Sequence, residues 1–479
     1  RDKGCFESSD AQVASLLERQ TGIMIQNTLM NSSIRPAAAR PDKLPPAKPT
    51  FAEAFRFWLK LGFISFGGPA GQIAIMQTEL VEKRRWISQS RFLHALNFCM
   101  LLPGPEAQQL AIYVGWLLHR TWGGIVAGSL FVIPSMFVLW TLSFVYAAHG
   151  NVPWIAAIFY GLKPAVTAIV AFAVIRMGRK ALKNRAMWCI AAAAFIGIYF
   201  FKVPFPVIIL AAVVIGLLGG RLWKEKFSVV RGRGPRDGTN ETSVLGDEDE
   251  SPAHAKPSWI RGARVSLVCG LLWWLPILSL GLWQGWDSTL FREGVFFSKA
   301  AVVTFGGAYA VLPYVAQQAV QNYHWLQPGQ MLDGLGLAET TPGPLIMVLQ
   351  FVGFMGGWSN PGALSPLLAA TLGAFITTWA TFVPCFLWIF LGAPHIEQLR
   401  GNEKLGMVLS TVTAAVVGVV LNLAVWFGIH VLFPEGHNPD FFAIAVGGIA
   451  FAGMMRGNWN IIPVVIGAGL AGLLFKMLL

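Results

Sequence analysis

The sequence predicts an all-α fold, a polytopic transmembrane helical bundle of two homologous, inverted repeats with broken and re-entrant helices. Three observations lead there. Of the 479 residues, 55% are hydrophobic and 13% charged, roughly half the charged share of a soluble domain. The apolar residues come in blocks of about 20, the length a helix needs to cross a bilayer core. Finally, the two halves of the chain carry the same motifs in the same order. Alternating segments of about ten residues, the mark of an outer-membrane barrel, are absent.

Taken in order, residues 1–50 are polar, end in a Pro/Ala-rich run from Pro36 to Pro49, and lack the apolar run of a signal peptide. They read as a disordered N-terminal tail. The first membrane repeat occupies 51–223, with apolar segments at about 52–70, 90–118, 121–147, 153–177, 186–202 and 203–223. Residues 224–262 form a charged linker containing Gly232, Gly234, Pro235 and the acidic run Asp247, Glu248, Asp249, Glu250. It is too polar to cross a membrane and reads as a flexible cytoplasmic connection. Segment 263–284 is an extra transmembrane helix, and 285–479 form the second repeat, with segments near 290–312, 331–358, 363–392, 405–433, 441–456 and 460–478.

The duplication is explicit. At a constant shift of 239 positions, Lys60 falls on Lys299, Phe66-Gly67-Gly68 on Phe305-Gly306-Gly307, Trp86 on Trp325, and Pro103-Gly104-Pro105 on Pro342-Gly343-Pro344. After a small insertion around Ser359 to Ser365, Pro134 aligns with Pro384 at a shift of 250. Repeats of this kind build secondary transporters, which rock one unit against another around a midplane site. The extra segment 263–284 lies between the repeats, so it inverts the second relative to the first.

Charge placement excludes nucleic acid as a partner and points to a lipid bilayer. The net charge is +12, but Lys and Arg gather in short loops: Lys83 to Arg85, Arg176 to Arg185, and Arg221 to Arg233. That pattern marks cytoplasmic loops. The loops near residues 84 and 180 are both strongly basic, yet three apolar segments separate them. Both lie on one side only if one segment fails to cross. The candidate is 90–118, interrupted by Leu102-Pro103-Gly104-Pro105-Glu106 and therefore read as a re-entrant hairpin; broken backbone at membrane depth has to line a cavity or be buried in protein.

The same breaks supply the candidate site. Prolines flanking a glycine prevent a helix from continuing, and the helix that restarts presents free N–H groups and a positive dipole end, a ready anion site. Polar residues stand beside both breaks, Glu106, Gln108 and Gln109 in the first, Glu339, Thr340 and Thr341 in the second. The paired glycines Gly67, Gly68, Gly306 and Gly307 permit either close helix packing or close approach of backbone to a ligand. Lys60 and Lys299 sit inside apolar segments, where a charge costs about 2.5–3.5 kcal/mol on insertion scales; they read as cations for an anionic substrate, with snorkelling to the headgroups as the alternative. The substrate-binding set is thus Lys60, Gly67, Gly68, Gly104, Lys299, Gly306, Gly307, Thr340, Thr341 and Gly343. Glu106 and Glu339 are candidates for coupling or gating, or for an ion pair with a lysine. Trp86 and Trp325 read as interfacial anchors.

No phosphate-binding loop, metalloprotease helix or nucleophile elbow occurs, so ATP hydrolysis and hydrolytic catalysis are not expected, nor any cofactor. The five cysteines (Cys5, Cys99, Cys189, Cys269, Cys385) and eight histidines are scattered, without metal-site spacing. The rival to transport is a polytopic enzyme acting on lipid-linked substrates, for which no interfacial catalytic cluster is found.

Phe66-Gly67-Gly68-Pro69, Glu82-Lys83-Arg84-Arg85-Trp86-Ile87 and Leu102-Pro103-Gly104-Pro105-Glu106-Ala107 resemble the chromate ion transporter (CHR) family. Phe305-Gly306-Gly307, Trp325-Leu326 and Thr341-Pro342-Gly343-Pro344 match it again in the second half. The resemblance covers roughly residues 52–478 and implies the long, two-domain form of the family. It implies a multi-pass protein of a bacterial inner membrane that exports chromate and confers chromate resistance. Sulfate or another oxyanion is the alternative substrate, and the sequence leaves a homodimer open.

Overall fold

The computed structural model describes residues 47–66, 68–150, 152–222, 244–245, 258–305, 307–395, 403–434 and 438–478. The expected N-terminal tail up to Pro46, Gly67, Gly306, Cys5 and most of the linker lie outside the described residues.

Helix α1 (Phe51–Ile64) opens the first repeat, fixed at its start by Thr50 and Glu53, which cap each other's backbone. It stops at Ser65, and α2 (Gly68–Gln77) restarts and ends in a π-helical turn, Thr78–Lys83. Arg84, after that turn, lies 5.0 Å above the rings of Phe57 and of Trp86. The chain has therefore returned to the end it came from, and α1–α2 is a re-entrant hairpin. Next, α3 (Gln89–Cys99) runs inward from a Ser88 cap to the P-G-P break. Beyond it α4 (Glu106–His149) has two limbs: non-helical backbone at His119 and Arg120 reverses the chain, so that Ile112 of the first limb meets Gly128 of the second. The His119 ring hydrogen-bonds Pro49 O at 2.9 Å. The first limb has thus also returned to the starting end, and 90–118 forms the re-entrant hairpin expected from the charged loops.

The second limb of α4, then α5 (Pro153–Ala181), α6 (Arg185–Tyr199) and α7 (Phe205–Leu222), run back and forth. One fully crossing hairpin thus separates the loops near residues 84 and 180, which stand at one basic end of the bundle. The extra helix α8 (Trp259–Gln284) starts within the stretch assigned to the linker, because Trp259 and Ile260 extend its apolar face. Of the linker, Val244 and Leu245 pair with the loop after the first π-turn, through Val244 N–H to Arg85 O (3.0 Å) and Ser88 N–H to Leu245 O (3.1 Å).

The second repeat copies the first from the opposite end. Helix α9 (Thr289–Val303), α10 (Ala308–Gln317) and the π-turn Gln318–Asn322 form one hairpin. Helix α11 (Pro328–Thr340), the turn Leu345–Met347 and α12 (Val348–Ser359) form the other. The long helices α13 (Pro366–Gly392) and α14 (Glu403–Leu432) follow, then α15 (Phe441–Arg456) and α16 (Ile461–Leu478). Among the described residues, six helical stretches are long and apolar enough to cross a membrane: α4, α5, α8, α13 with its continuation to His395, α14 from Gly406, and α16. The chain is a multi-pass membrane protein.

The repeats exchange partners. Helix α5 of the first packs against α15 and α16 of the second, while α14 of the second packs against α6 and α7 of the first. These contacts are backbone-close because small residues face each other. A Cβ at Gly161 would meet the Ala468 carbonyl, and one at Gly418 the Ala191 carbonyl, the packing expected where apolar burial gives helices no preference for each other over lipid. Trp86 and Trp325 are buried rather than interfacial: each closes the foot of its own hairpin against Phe57 or against Phe296 and Phe297. We expect Gly418→Ala to cost about 1–3 kcal/mol of stability, whereas Gly428→Ala, with open space around it, is neutral or stabilising by up to about 1 kcal/mol. Thermal melts in detergent measure both.

Candidate functional site

Four helix breaks meet inside the bundle, and each turns on a left-handed glycine: Gly68 (φ 68°), Gly104 (φ 114°), Gly307 (φ 95°) and Gly343 (φ 107°). Side-chain-bearing residues are strained there, which accounts for a glycine at each turn. The breaks are joined crosswise between repeats. Gly104 N–H donates to Thr304 O at 2.8 Å, and Gly343 N–H donates to Ser65 O at 2.7 Å. Ser65 and Thr304 are related by the same shift of 239 that relates the two glycines. Their hydroxyls do the same work as well, donating at 2.6 Å to Leu61 O and Ala300 O, which satisfies the last turns of α1 and α9.

A second reciprocal contact supports the first. Ser135 of α4 lies against Gly343, and Cys385 of α13 lies against Gly104, 2.9 Å from where a side chain would begin. These two residues follow the aligned prolines Pro134 and Pro384. Each long helix thus seats the P-G-P break of the other repeat. The glutamines break the symmetry. Gln72 Nε2 donates to Gly343 O at 2.5 Å, and Gln109 Nε2 to Pro103 O at 2.7 Å, while Val311 and Val348 stand at the corresponding places of the second repeat.

The structure brings Gly68, Gly104, Gly307, Gly343, Glu106 and Glu339 toward this centre. Glu106 is the first residue of α4, and its Oε1 lies 3.1 Å from where a side chain on Gly307 would begin. Glu339 is buried and accepts a hydrogen bond of 2.5 Å from Tyr309 Oη of α10. Among the described residues neither acid pairs with Lys60 or Lys299, both of which are exposed. Lys60 instead adds its field to Glu79, whose carboxyl is held below the ordinary carboxylate range chiefly by its hydrogen bond from Lys83. The Thr340 and Thr341 hydroxyls are engaged with carbonyls of their own helix. Gly67 and Gly306 are outside the described residues.

Several polar groups are not among the expected site residues. Arg176 and Lys180, one turn apart on α5, are cations whose charge acts on Glu339 and Glu106 respectively. They read in sequence as a loop cluster; in the structure Arg176 is half-buried and Lys180 exposed at the end of α5. Asp333 on α11 is buried, takes a 2.8 Å hydrogen bond from Tyr146 Oη and pairs with Lys163 of α5 at 3.6 Å. Glu293 on α9 is fully buried. Asp333 and Glu293 both sit within long apolar segments, a signal available in the sequence alone.

The N-caps of the helices restarting at Glu106 and Leu345 are Pro105 and Pro344, and neither supplies a side-chain acceptor. The first N–H groups of those helices are not capped by the side chain of the preceding residue, and the dipoles are directed at the breaks. Two inverted repeats meeting at broken helices form the framework of a secondary transporter. The chain belongs to the chromate transporter family, whose model matches residues 52–217 and 291–473. It is 31% identical to a chromate transport protein of Pseudomonas aeruginosa over 452 residues, spanning 92% of this chain and 96% of that one. A chromate transport protein of Cupriavidus metallidurans is 29% identical over 375 residues, 78% of this chain and 81% of the relative. A probable chromate transport protein of Synechococcus elongatus is 27% identical over 376 residues, 78% and 83% of the two chains. No solved structure matches.

Gly104→Ala and Gly343→Ala each combine a left-handed backbone with a side chain driven into Cys385 or Ser135. We expect each to destabilise the protein by about 1–3 kcal/mol, measured as a lower melting temperature in detergent.

Proposed function

We propose that the protein is a secondary transporter that exports chromate, or a closely similar tetrahedral dianion, from the cytoplasm across a bacterial inner membrane, and so confers resistance to it. The observation that carries this reading is the crosswise seating of two P-G-P breaks, each followed by an uncapped helix start. A dianion leaving water needs N–H donors and positive charge in place before it arrives, and free helix starts with Gly104 and Gly343 beside them provide the donors. Arg176 and Lys180 provide charge toward the basic end, which by its loops is the cytoplasmic end. We assign the cation role to these two because their charge reaches Glu106 and Glu339. Glu106 and Glu339, at the breaks and within reach of these charges, gate the site or exchange a proton. No step in this reading changes the substrate covalently.

The energetics suit export without ATP. An interior-negative potential favours anion exit by about 2.3 kcal/mol per charge per 100 mV. For a dianion that is about 4.6 kcal/mol, equivalent to a gradient of roughly 2,000-fold.

The test is uptake of labelled chromate into inverted vesicles, with and without membrane potential and in competition with sulfate. Saturable, potential-stimulated uptake that sulfate inhibits weakly is expected; sulfate carried as well as chromate changes the substrate assignment, and flux without saturation favours a channel. Arg176→Ala and Lys180→Ala should each raise the half-saturating chromate concentration about tenfold, the lower range for a charge-assisted hydrogen bond, while Lys60→Ala and Lys299→Ala change it little.

A further inference from the structure

Glu293 has a setting unlike that of the other interior acids. It lies on the second turn of α9, fully buried, and neither carboxyl oxygen has a hydrogen-bond partner among the described residues. Gly356 of α12 and Gly373 of α13 make room for it. One carboxyl oxygen occupies the place a side chain on Gly356 would take, and the other lies 2.8 Å from where one on Gly373 would begin. The Gly353 carbonyl crowds the same point beside Gly373, and the Thr377 hydroxyl crowds Gly353. Thr377 Oγ1 is also buried without a partner. A carboxyl, a backbone carbonyl and a hydroxyl thus stand together where three helices pack closely.

Among the described residues no opposite charge pairs with Glu293. Arg292, the next residue, turns outward to pair with Asp287 at 2.8 Å, and Lys299 is exposed. On the elements packed against α9, the ionisable groups are Arg261, Arg264 and Cys269 on α8, Tyr309 and Tyr314 on α10, and Cys385 on α13. Tyr309 is engaged with Glu339 and Cys385 lies against Gly104; α12 carries none. Tyr323, beyond the π-turn, packs on Phe296 and Trp325. A bare carboxylate facing a carbonyl in such a place costs several kcal/mol, and a small hard monovalent cation removes that cost. The first repeat has Ala54 at the corresponding position, so the arrangement exists once.

We propose that Glu293, with Thr377 and the Gly353 carbonyl, forms a binding site for the coupling cation, a proton or a sodium ion, separate from the substrate site. This rests on the transport reading above. The site is linked to the substrate breaks through the elements that form it. Helix α9 carries Glu293 near one end and at the other leads into Thr304, which holds Gly104. Helix α13 carries Gly373 and Thr377 and, two turns on, Cys385, which lies against the same Gly104. Cation occupancy draws α9, α12 and α13 together and thereby moves the seat of the first P-G-P break.

The test uses the full chain reconstituted in liposomes, with Glu293→Gln and Thr377→Val. In the wild type, an opposing tenfold gradient of protons or of sodium raises steady-state chromate accumulation up to about tenfold for one-for-one exchange. Glu293→Gln, which keeps the shape of the side chain, should retain uptake driven by membrane potential and lose that response. Thr377→Val should weaken a sodium response more than a proton response. Infrared spectroscopy of the purified protein without substrate reads the same site. A protonated-carboxyl band absent from Glu293→Gln identifies a proton, and a carboxylate band shifted by sodium identifies sodium. Retained gradient coupling in Glu293→Gln, or no infrared change at Glu293 with either cation, overturns the site. Absent chromate uptake in the wild type, with the infrared signal intact, overturns the substrate reading instead.

Discussion

The pair of backbone hydrogen bonds from Gly104 to Thr304 and from Gly343 to Ser65 is the constraint on which the rest of the architecture depends. A broken helix inside a membrane exposes polar backbone that neither lipid nor a neighbouring apolar side chain can satisfy. Each repeat has two such breaks and cannot satisfy them alone. The P-G-P break of one is satisfied by the break before F-G-G of the other, and the exchange works in both directions only if the two repeats enter from opposite ends. The inversion supplied by α8 is therefore a hydrogen-bonding requirement of the broken helices as well as a symmetry of the chain.

Onto this symmetric frame the sequence adds unequal chemistry. Gln72 and Gln109 of the first repeat brace the P-G-P breaks of the second and the first repeat respectively, where the second repeat has valine. Arg176 and Lys180 lie toward the basic end. With α5 matched to α14 at the shift of 250, Trp426 and His430 stand in their places at the other end. A frame with equal halves favours neither facing state. Charge confined to one mouth gives the two facing states different affinities for an anion, and a bound anion then shifts the equilibrium between them by that difference.

Much of the fold was legible because membrane insertion writes it in long apolar runs and because duplication shows each motif twice. The parity of the basic loops even placed the re-entrant hairpin at 90–118. The hairpin at 52–70 was not legible: Phe66-Gly67-Gly68 interrupts a run no longer than an ordinary span, and glycine alone does not announce a reversal. Side-chain direction was the harder matter. Lys60 and Lys299 are equally spaced before their glycines in both repeats, yet equal spacing does not give the direction of a side chain, and both are exposed. Arg176 and Lys180 were hidden for another reason, since a basic cluster at a helix end reads as a cytoplasmic loop until the fold shows which acids its charge reaches.

Proline has a specific place in this design. A serine or aspartate cap at Glu106 or Leu345 would satisfy the first N–H groups of those helices and stabilise them by about 1 kcal/mol. Pro105 and Pro344 end the preceding segment without offering a side-chain acceptor, and their fixed φ keeps the backbone there rigid. The helix starts thereby forgo a cap, and the crosswise bonds at Gly104 and Gly343 hold them in position instead. A dianion stripped of water gains most from donors already oriented and in no need of rearrangement. Donors held in this way belong to both repeats at once. In the proposed mechanism, rocking one repeat against the other alters that donor set itself, so that the backbone takes part in release.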